Sequence, residues 1–322
     1  MASAVAALDP RTRTVAAPTV ADAEPAIAES DRVHVHVTDR LFGSTPEDAA
    51  STIERWAAAT RLTLTFHDVP QTSDGTMFER RRGAYRRMAV AAEGVVVNSR
   101  HEQLLWAEFL AGLPAPHAIA LGARTAAPSP SAGDRSPEGA RDLRVLIAGF
   151  IYPGKGHGPA VRAAADAAAL LAARGTPVGR VVVRALGAPS RGHEDDVVEL
   201  ARGAAERGVD VEVTGFLADD DFARELAGEG IPLAAHEHVS ASRSMLDWVE
   251  AGRRPLVVES RYAAEMDALR PGTLLRYEPG ALPARLAEAW ADPSLTRLSS
   301  GASLAPTLDD VAAAHLAWWA AA

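Results

Sequence analysis

Residues 149–157, Gly-Phe-Ile-Tyr-Pro-Gly-Lys-Gly-His, place a lysine between two glycines where an apolar run ends and an alanine-rich stretch begins. Lys155 is the chain's single lysine; all the other residues among its 33 lysines plus arginines are arginine. A lysine is a compact charge on a thin stem, whereas arginine is a wide planar fork. A tight glycine loop closing on a phosphate admits the first more readily than the second. Glycine turn, cation and helix N-terminus together make an anion site, because free N–H groups and the helix dipole converge there. Read literally, 149–155 matches the start of a phosphate-binding loop, GxxxxGK. The hydroxyl residue that would then ligate Mg2+ is replaced by Gly156, and Pro153 removes one N–H from the loop. A P-loop-like NTPase therefore stands as the third reading of this chain, behind those that need only a bound anion.

Two further clusters could join that loop. Ser240, Ala241 and Ser242 open a helical pattern, so their N–H groups can point at a second anion, and Asp247 follows one to two turns later. Ser240 or Ser242 equally fits a helix N-cap, and Asp247 a solvated helix position. His67 and Asp68 end a strand-like run, where a side chain projects from the sheet edge. His67 is the candidate catalytic partner of Lys155; a structural histidine bonded to nearby backbone is the competing reading. Arg80, Arg81, Arg82, Arg86 and Arg87 crowd one helical segment, and Ser99 and His101 follow another strand-like run. Asp68, Arg80, Arg81, Ser99 and His101 are the candidates for acceptor contact. The arginine cluster is either a solvated face or a weak contact for an anionic membrane or acceptor.

Strands must end at these groups to position them. Strand patterns cover 32–38, 62–67, 94–98 and 117–121, with helical patterns over 46–59, 77–92 and 100–113 and a polar loop over 68–75. A stretch dense in Pro, Ser, Gly and charge predicts a linker over 125–142. Strand patterns then recur at 143–148, 181–185, 209–214, 231–235, 255–258 and 273–277. Helical patterns cover 158–174, 194–207, 218–227, 242–251, 263–269, 281–291 and 308–321. Residues 1–30, rich in Ala, Pro, Thr and acidic residues without clear periodicity, are expected to be a disordered tail. The alternation predicts an α/β protein of two Rossmann-like domains facing across a cleft, with ligands at the carboxyl ends of parallel strands. The N-terminal, acceptor domain spans 31–124 and is reduced in strand number; the C-terminal, donor domain spans 143–306. A last helix in 307–322 is expected to pack back on the N-terminal domain.

Composition narrows the classes. A net charge of −9 speaks against nucleic-acid binding, which needs a basic face. No cysteine is present, which excludes disulfides, thiolate nucleophiles and thiolate metal sites. No run approaches the roughly 20 apolar residues of a membrane helix, and the start lacks the basic region of a signal peptide. The expected location is the cytoplasm, or the periphery of the membrane's inner face. Alanine and arginine dominate, as in chains from GC-rich genomes. No carboxylate cluster demands a metal, and no cofactor is expected.

The segments GFIYPGKGH (149–157), VTGFLADDDF (213–222), TFHDVPQTSDG (65–75) and VVVNSRHEQLL (95–105) together resemble the family-4 retaining glycosyltransferases of the GT-B fold, over most of 32–322. The resemblance implies transfer of a sugar from a nucleoside-diphosphate sugar, with retention and without metal, to a glycan, lipid or small-molecule acceptor. It implies that Lys155 holds the donor diphosphate, with Gly154 and Gly156 permitting close approach. Gly215 and Phe216 would lie by the base. Asp247 would replace the second glutamate of the family's E-x7-E motif and hold the ribose hydroxyls. The N–H groups of Ser240, Ala241 and Ser242 would meet the distal phosphate or sugar. Gly43 would form the glycine turn near the donor phosphates, and His67 would lie beside the transferred sugar. Two positions depart from the pattern. Val239 stands at the first glutamate, with Glu237 and His238 beside it, and Phe150 stands where an arginine accompanies the lysine. These losses motivate the second reading, an inactive relative that binds nucleotide sugars.

Overall fold

The computed structural model describes residues 2–129, 141–236, 240–299 and 301–321. Glu237, His238, Val239 and the 130–140 part of the expected linker lie outside them. The chain divides into two compact units, Met1–Arg124 with Ala305–Ala322, and Thr125–Leu304. The first begins with α1 (Ala2–Leu8), α2 (Val20–Ala28), β1 (Arg32–Val37), α3 (Pro46–Ala59), β2 (Arg61–Phe66), α4 (Phe78–Ala91), β3 (Gly94–Val97), α5 (Arg100–Phe109) and β4 (His117–Ala118). The second holds β5 (Leu143–Ala148), α6 (His157–Ala173), β6 (Val181–Leu186), α7 (Glu194–Ala205), β7 (Val209–Val213), α8 (Asp219–Ala227), β8 (Ile231–Ala234), α9 (Arg243–Glu250), β9 (Leu256–Val258), α10 (Arg261–Leu269), β10 (Leu275–Tyr277) and α11 (Leu282–Ala291). The closing helix α12 (Leu308–Ala321) belongs to the first unit.

In the first unit the four strands are parallel and lie in chain order, β1-β2-β3-β4. Parallel crossovers keep one hand, so three in the same direction put α3, α4 and α5 on one face. Alternation in β1 and β2 divides the side chains accordingly. Val37, Leu62, Leu64 and Phe66 join Ile53, Trp56, Tyr85, Met88 and Trp106 in the larger core. His34, Thr63 and Thr65 turn to the other face, where both nitrogens of His34 bond the two threonine hydroxyls. That face would be bare without α12. Val311 packs there on Val96 and Ile119, and the rings of His315 and Trp319 meet His34 at 5.2 and 5.1 Å. Thr307 and Asp310 start α12 with reciprocal capping bonds.

Within the expected disordered tail, Ala2–Leu8 and Val20–Ala28 are instead helical. Thr19 and Asp22 cap α2 reciprocally, Ile27 packs into the main core, and α1 lies along α12 with Val5 buried. Each helix offers a single buried apolar side chain, too sparse a pattern to register as periodicity.

In the second unit six parallel strands run β10-β9-β8-β5-β6-β7. Counted within the unit, that order is 6-5-4-1-2-3, the doubly wound arrangement with its reversal between β5 and β8. Leu143, Val145 and Ile147 of β5 face α6 and α11, while Leu146 and Ala148 pack with Leu226 of α8 and Trp248 of α9. Both faces are covered, as a parallel sheet requires.

Candidate functional site

Crossovers leave β5 and β8 in opposite directions, so the backbone parts at their carboxyl ends and opens a crevice between them. The loop after β5 and the segment after β8 meet there. Gly149, Gly154 and Gly156 all have positive φ, at 103°, 88° and 94°, which lets residues 149–156 turn twice before α6 begins. Gly156 is the N-cap of α6 and offers no side chain to cap it. Its Cα faces Ala235 at the end of β8. A Ser or Thr at this position, as a Mg2+-binding loop requires, has neither the backbone angle nor the space.

Lys155 folds back into this crevice and is only 5% exposed. Its Nζ lies 2.8 Å from His236 Nε2 and 3.3 Å from Ser244 Oγ. Burial pulls the ammonium down to about 8, with Asp247 pulling the other way. His236 is held down to about 3 by burial, then by Lys155 and His157. His157, the first residue of α6, is held down to about 4 by burial and by Lys155. Near neutrality the site therefore contains one ammonium donating to a neutral imidazole. Such a pocket suits an anion, since among the described residues no carboxylate forms an ion pair with this buried cation, and Asp247, which acts on it from a distance, is itself paired with Arg243. A depression of 560 Å³ at the amino-terminal end of the same sheet, lined in part by Arg144, Ile231 and Trp290, lies at the opposite strand ends.

The residues singled out from sequence are distributed unevenly around Lys155. Gly154 and Gly156 flank it. Ser240 is buried. Ser242 caps α9 through its hydroxyl, which accepts from Met245 N–H at 3.3 Å. The Ser242 N–H, expected to meet an anion, donates to the Tyr262 hydroxyl at 3.0 Å; that donor is committed within the fold. Asp247 is buried on α9 and paired with Arg243 at 2.9 Å, and Arg243 also pairs with Glu250. Gly215 and Phe216 follow β7, at the carboxyl edge of the sheet but two strands from β5. Gly215 has φ 73° and Phe216 is 84% exposed. Phe150, at the position expected for an arginine, is 57% exposed.

In the first unit, His67 directly follows β2 with its ring stacked on His36 at 4.9 Å, and His36 Nδ1 lies 2.7 Å from His67 Nε2. Burial lowers its pKa, against a hydrogen bond to Asn98 that favours the protonated ring. Gly43 packs so closely on α3 that a Cβ would lie 2.5 Å from Asp48 and Ala49 atoms. Several acceptor candidates are occupied. Arg81 is buried and bonds Asp39 at 3.1 Å, Asp68 at 2.6 Å and Asp74 at 2.6 Å; it ties down the loop after β2. Arg80 pairs with Glu47 at 2.8 Å. Arg87 and Arg82 pair with Glu54 and Glu79, so the basic face of α4 is largely neutralised. Ser99 is the N-cap of α5, accepting from Glu102 N–H at 3.0 Å, and His101 is buried.

His236, Ser244 and Tyr262 had not been singled out, and His157 only as part of the loop. A signal for His236 is present: it lies just past the carboxyl end of a strand, as His67 does, and that strand adjoins β5 in a doubly wound sheet.

No protein-family model matches the chain, and no curated protein is similar to it in sequence. Solved structures are similar in fold. HepE from Anabaena, in complex with UDP and glucose, matches with a TM-score of 0.62 at 18% identity, over 92% of this chain and 76% of that one. Sucrose-phosphate synthase from Thermosynechococcus elongatus matches with a TM-score of 0.65 at 12% identity, over 94% and 78%. An α,α-trehalose-phosphate synthase (UDP-forming) from Burkholderia xenovorans, in complex with glucose-6-phosphate, matches with 0.59 at 14% identity, over 94% and 72%. The likeness spans both units, and by its architecture the chain has the GT-B fold of these glycosyltransferases.

Proposed function

We propose that the protein is a glycosyltransferase that moves a sugar from a nucleoside-diphosphate sugar to a glycan, lipid or small-molecule acceptor. The observation that carries this reading is Lys155, buried at the carboxyl end of β5 beside an uncapped helix N-terminus. Transfer breaks the bond between the anomeric carbon and the diphosphate, and the departing oxygen gains charge as the sugar becomes oxocarbenium-like. A fixed ammonium and the first-turn N–H groups of α6 would stabilise that charge where it develops. The neighbouring glycines would bring the backbone close to the phosphates.

The finer parts of the reading extend the family resemblance. Phe216 offers an exposed ring for the base, and Asp247 a carboxylate for the ribose, once Arg243 releases or shares it. His67 is the candidate beside the sugar. Transfer is proposed to retain the anomeric configuration and to need no metal, with the protein acting on the cytoplasmic side of the membrane. Product configuration by NMR and activity in the presence of a chelator test those two points.

Thermal-shift screening against UDP-, GDP- and ADP-sugars identifies the donor, because a ligand of the native state alone raises the melting point. Transfer with the stabilising donor is then compared between the wild type and Lys155→Ala. Loss of transfer with an unchanged circular dichroism spectrum is expected; near-normal turnover of Lys155→Ala would overturn the assignment. A second reading, a nucleotide-sugar-binding protein without activity, is favoured by the exposed Phe150 where the family carries a cation. It predicts donor stabilisation without transfer or donor hydrolysis.

A further inference from the structure

The crevice between β5 and β8 holds more buried imidazole than its hydrogen bonds use. His157 is 4% exposed, and neither ring nitrogen has a hydrogen-bond partner among the described residues. His236 is 9% exposed, with Nδ1 likewise unpartnered. Its Nε2 is the acceptor for the Lys155 ammonium. Buried polar groups left unpaired are costly, and such groups cluster where a ligand completes them. Among the described residues, the charged and titratable groups around His236 are Lys155 from the loop, His157 from α6, and Asp247 from α9, itself paired with Arg243; Ser244 adds a hydroxyl.

A diphosphate entering this crevice brings two negative charges, and the loop supplies one ammonium. The position that could add a second cation is Phe150. An uncompensated charge in a buried site costs more than protonating an imidazole next to it. Resting on the donor reading above, we propose that the Lys155–His236 pair binds the donor diphosphate with uptake of one proton onto His236. A phosphate oxygen enters between Nζ and Nε2. The Nε2 lone pair, no longer accepting from Lys155, takes a proton from solvent, and both nitrogens then donate to phosphate. The imidazolium replaces the missing arginine, and it returns the proton when the diphosphate leaves. His236 is a positioning and charge-balancing residue of the donor site, and no bond other than N–H is made or broken at it.

The test is calorimetric titration of the intact protein with UDP-, GDP- and ADP-glucose, whose phosphates keep a fixed charge around neutral pH. Running each at about pH 7 in buffers of different ionisation enthalpy reads protons taken up. Net uptake is expected, with affinity rising by up to about tenfold per unit of falling pH. His236→Gln keeps an acceptor for Lys155 but cannot ionise; it should still bind, with uptake and pH dependence reduced to the small part Lys155 contributes. His157→Gln should keep the proton uptake and the pH dependence, because His236 still ionises, while weakening the binding to which its own unpartnered nitrogens contribute. Binding without proton uptake, or uptake lost in His157→Gln but kept in His236→Gln, overturns the inference while leaving the donor reading standing. No binding of any of the three overturns both. Melting curves of each variant confirm that the comparison is made on folded protein.

Discussion

Gly156 faces the carbonyl oxygen of Ala235 so closely that a Cβ on it would lie 1.9 Å from that oxygen. This close approach seats the loop after β5 against the end of β8, one residue from each member of the Lys155–His236 pair. Gly156→Ala must break the contact and also place a side chain at φ 94°. A loss on the order of 3 kcal/mol is expected, together with loss of donor binding. Gly154 has a similar φ but nothing within 4 Å of an added Cβ. Gly154→Ala should cost only about 1–2 kcal/mol, from backbone strain alone. Urea denaturation of the two variants checks the ranking; equal losses would mean that the loop is not pinned at Ala235.

Lys155 should be a liability to the fold. Burial holds it at about 8 in the native state, below its ordinary value of 10.5. Below pH 8 the ammonium is charged in both states but less well solvated in the native one. Between about 8 and 10.5 the unfolded chain binds more protons, so stability rises with pH across that window. Lys155→Met removes the penalty and is expected to gain on the order of 1–2 kcal/mol near pH 7, after the lost bonds to His236 and Ser244 are set against it. The gain should shrink as pH approaches 10.5. A variant that is more stable yet inactive is the signature of a residue retained for chemistry. A melting temperature below the wild type's would instead make Lys155 structural.

Most strands and helices are legible as periodicity because parallel strands buried on both faces are apolar runs and the helices between them are amphipathic. The Lys155 loop is legible for a local reason: glycines at positive φ and a lone cation fall within nine consecutive residues. His236 is 81 residues from Lys155, and only the strand order brings them together. Arg81 illustrates the opposite failure. It reads as one of five arginines on a helix, yet it alone turns inward, because three aspartates scattered over residues 39–74 converge on it. Spacing along the helix says nothing of that convergence.

Arg81 accordingly predicts a stability effect rather than an acceptor effect. Arg81→Met leaves Asp39 buried and Asp74 half-buried without their cation. Breaking a buried ion pair from one side costs about 3–5 kcal/mol. Lysine should rescue little, since one ammonium cannot span three carboxylates as the guanidinium fork does. Chemical denaturation of Arg81→Met and Arg81→Lys measures both. Wild-type stability in either would show that the aspartates find other partners or protonate without cost.

The histidine layer under α12 makes the first unit sensitive to acid. His36 is held down to about 3 by burial, then by His67 and His315, and His315 to about 4 by burial, then by His67 and His117. His34 is pushed well below its ordinary value by burial, then by His36, His315, His67 and Arg32. Each native pKa lies below the unfolded value of 6.5, so as pH falls below 6.5 the unfolded chain binds more protons. Stability is lost through that window, down to about 4 for His315 and about 3 for His36, at about 1.4 kcal/mol per pH unit for each histidine. Trp318 and Trp319 on α12 lie against the layer, so their fluorescence reports its failure. An acid transition well above the carboxylate range is expected, and His315→Leu should move its midpoint downward by removing one proton acceptor. An unchanged midpoint in His315→Leu would place the acid-sensitive contact elsewhere in the unit.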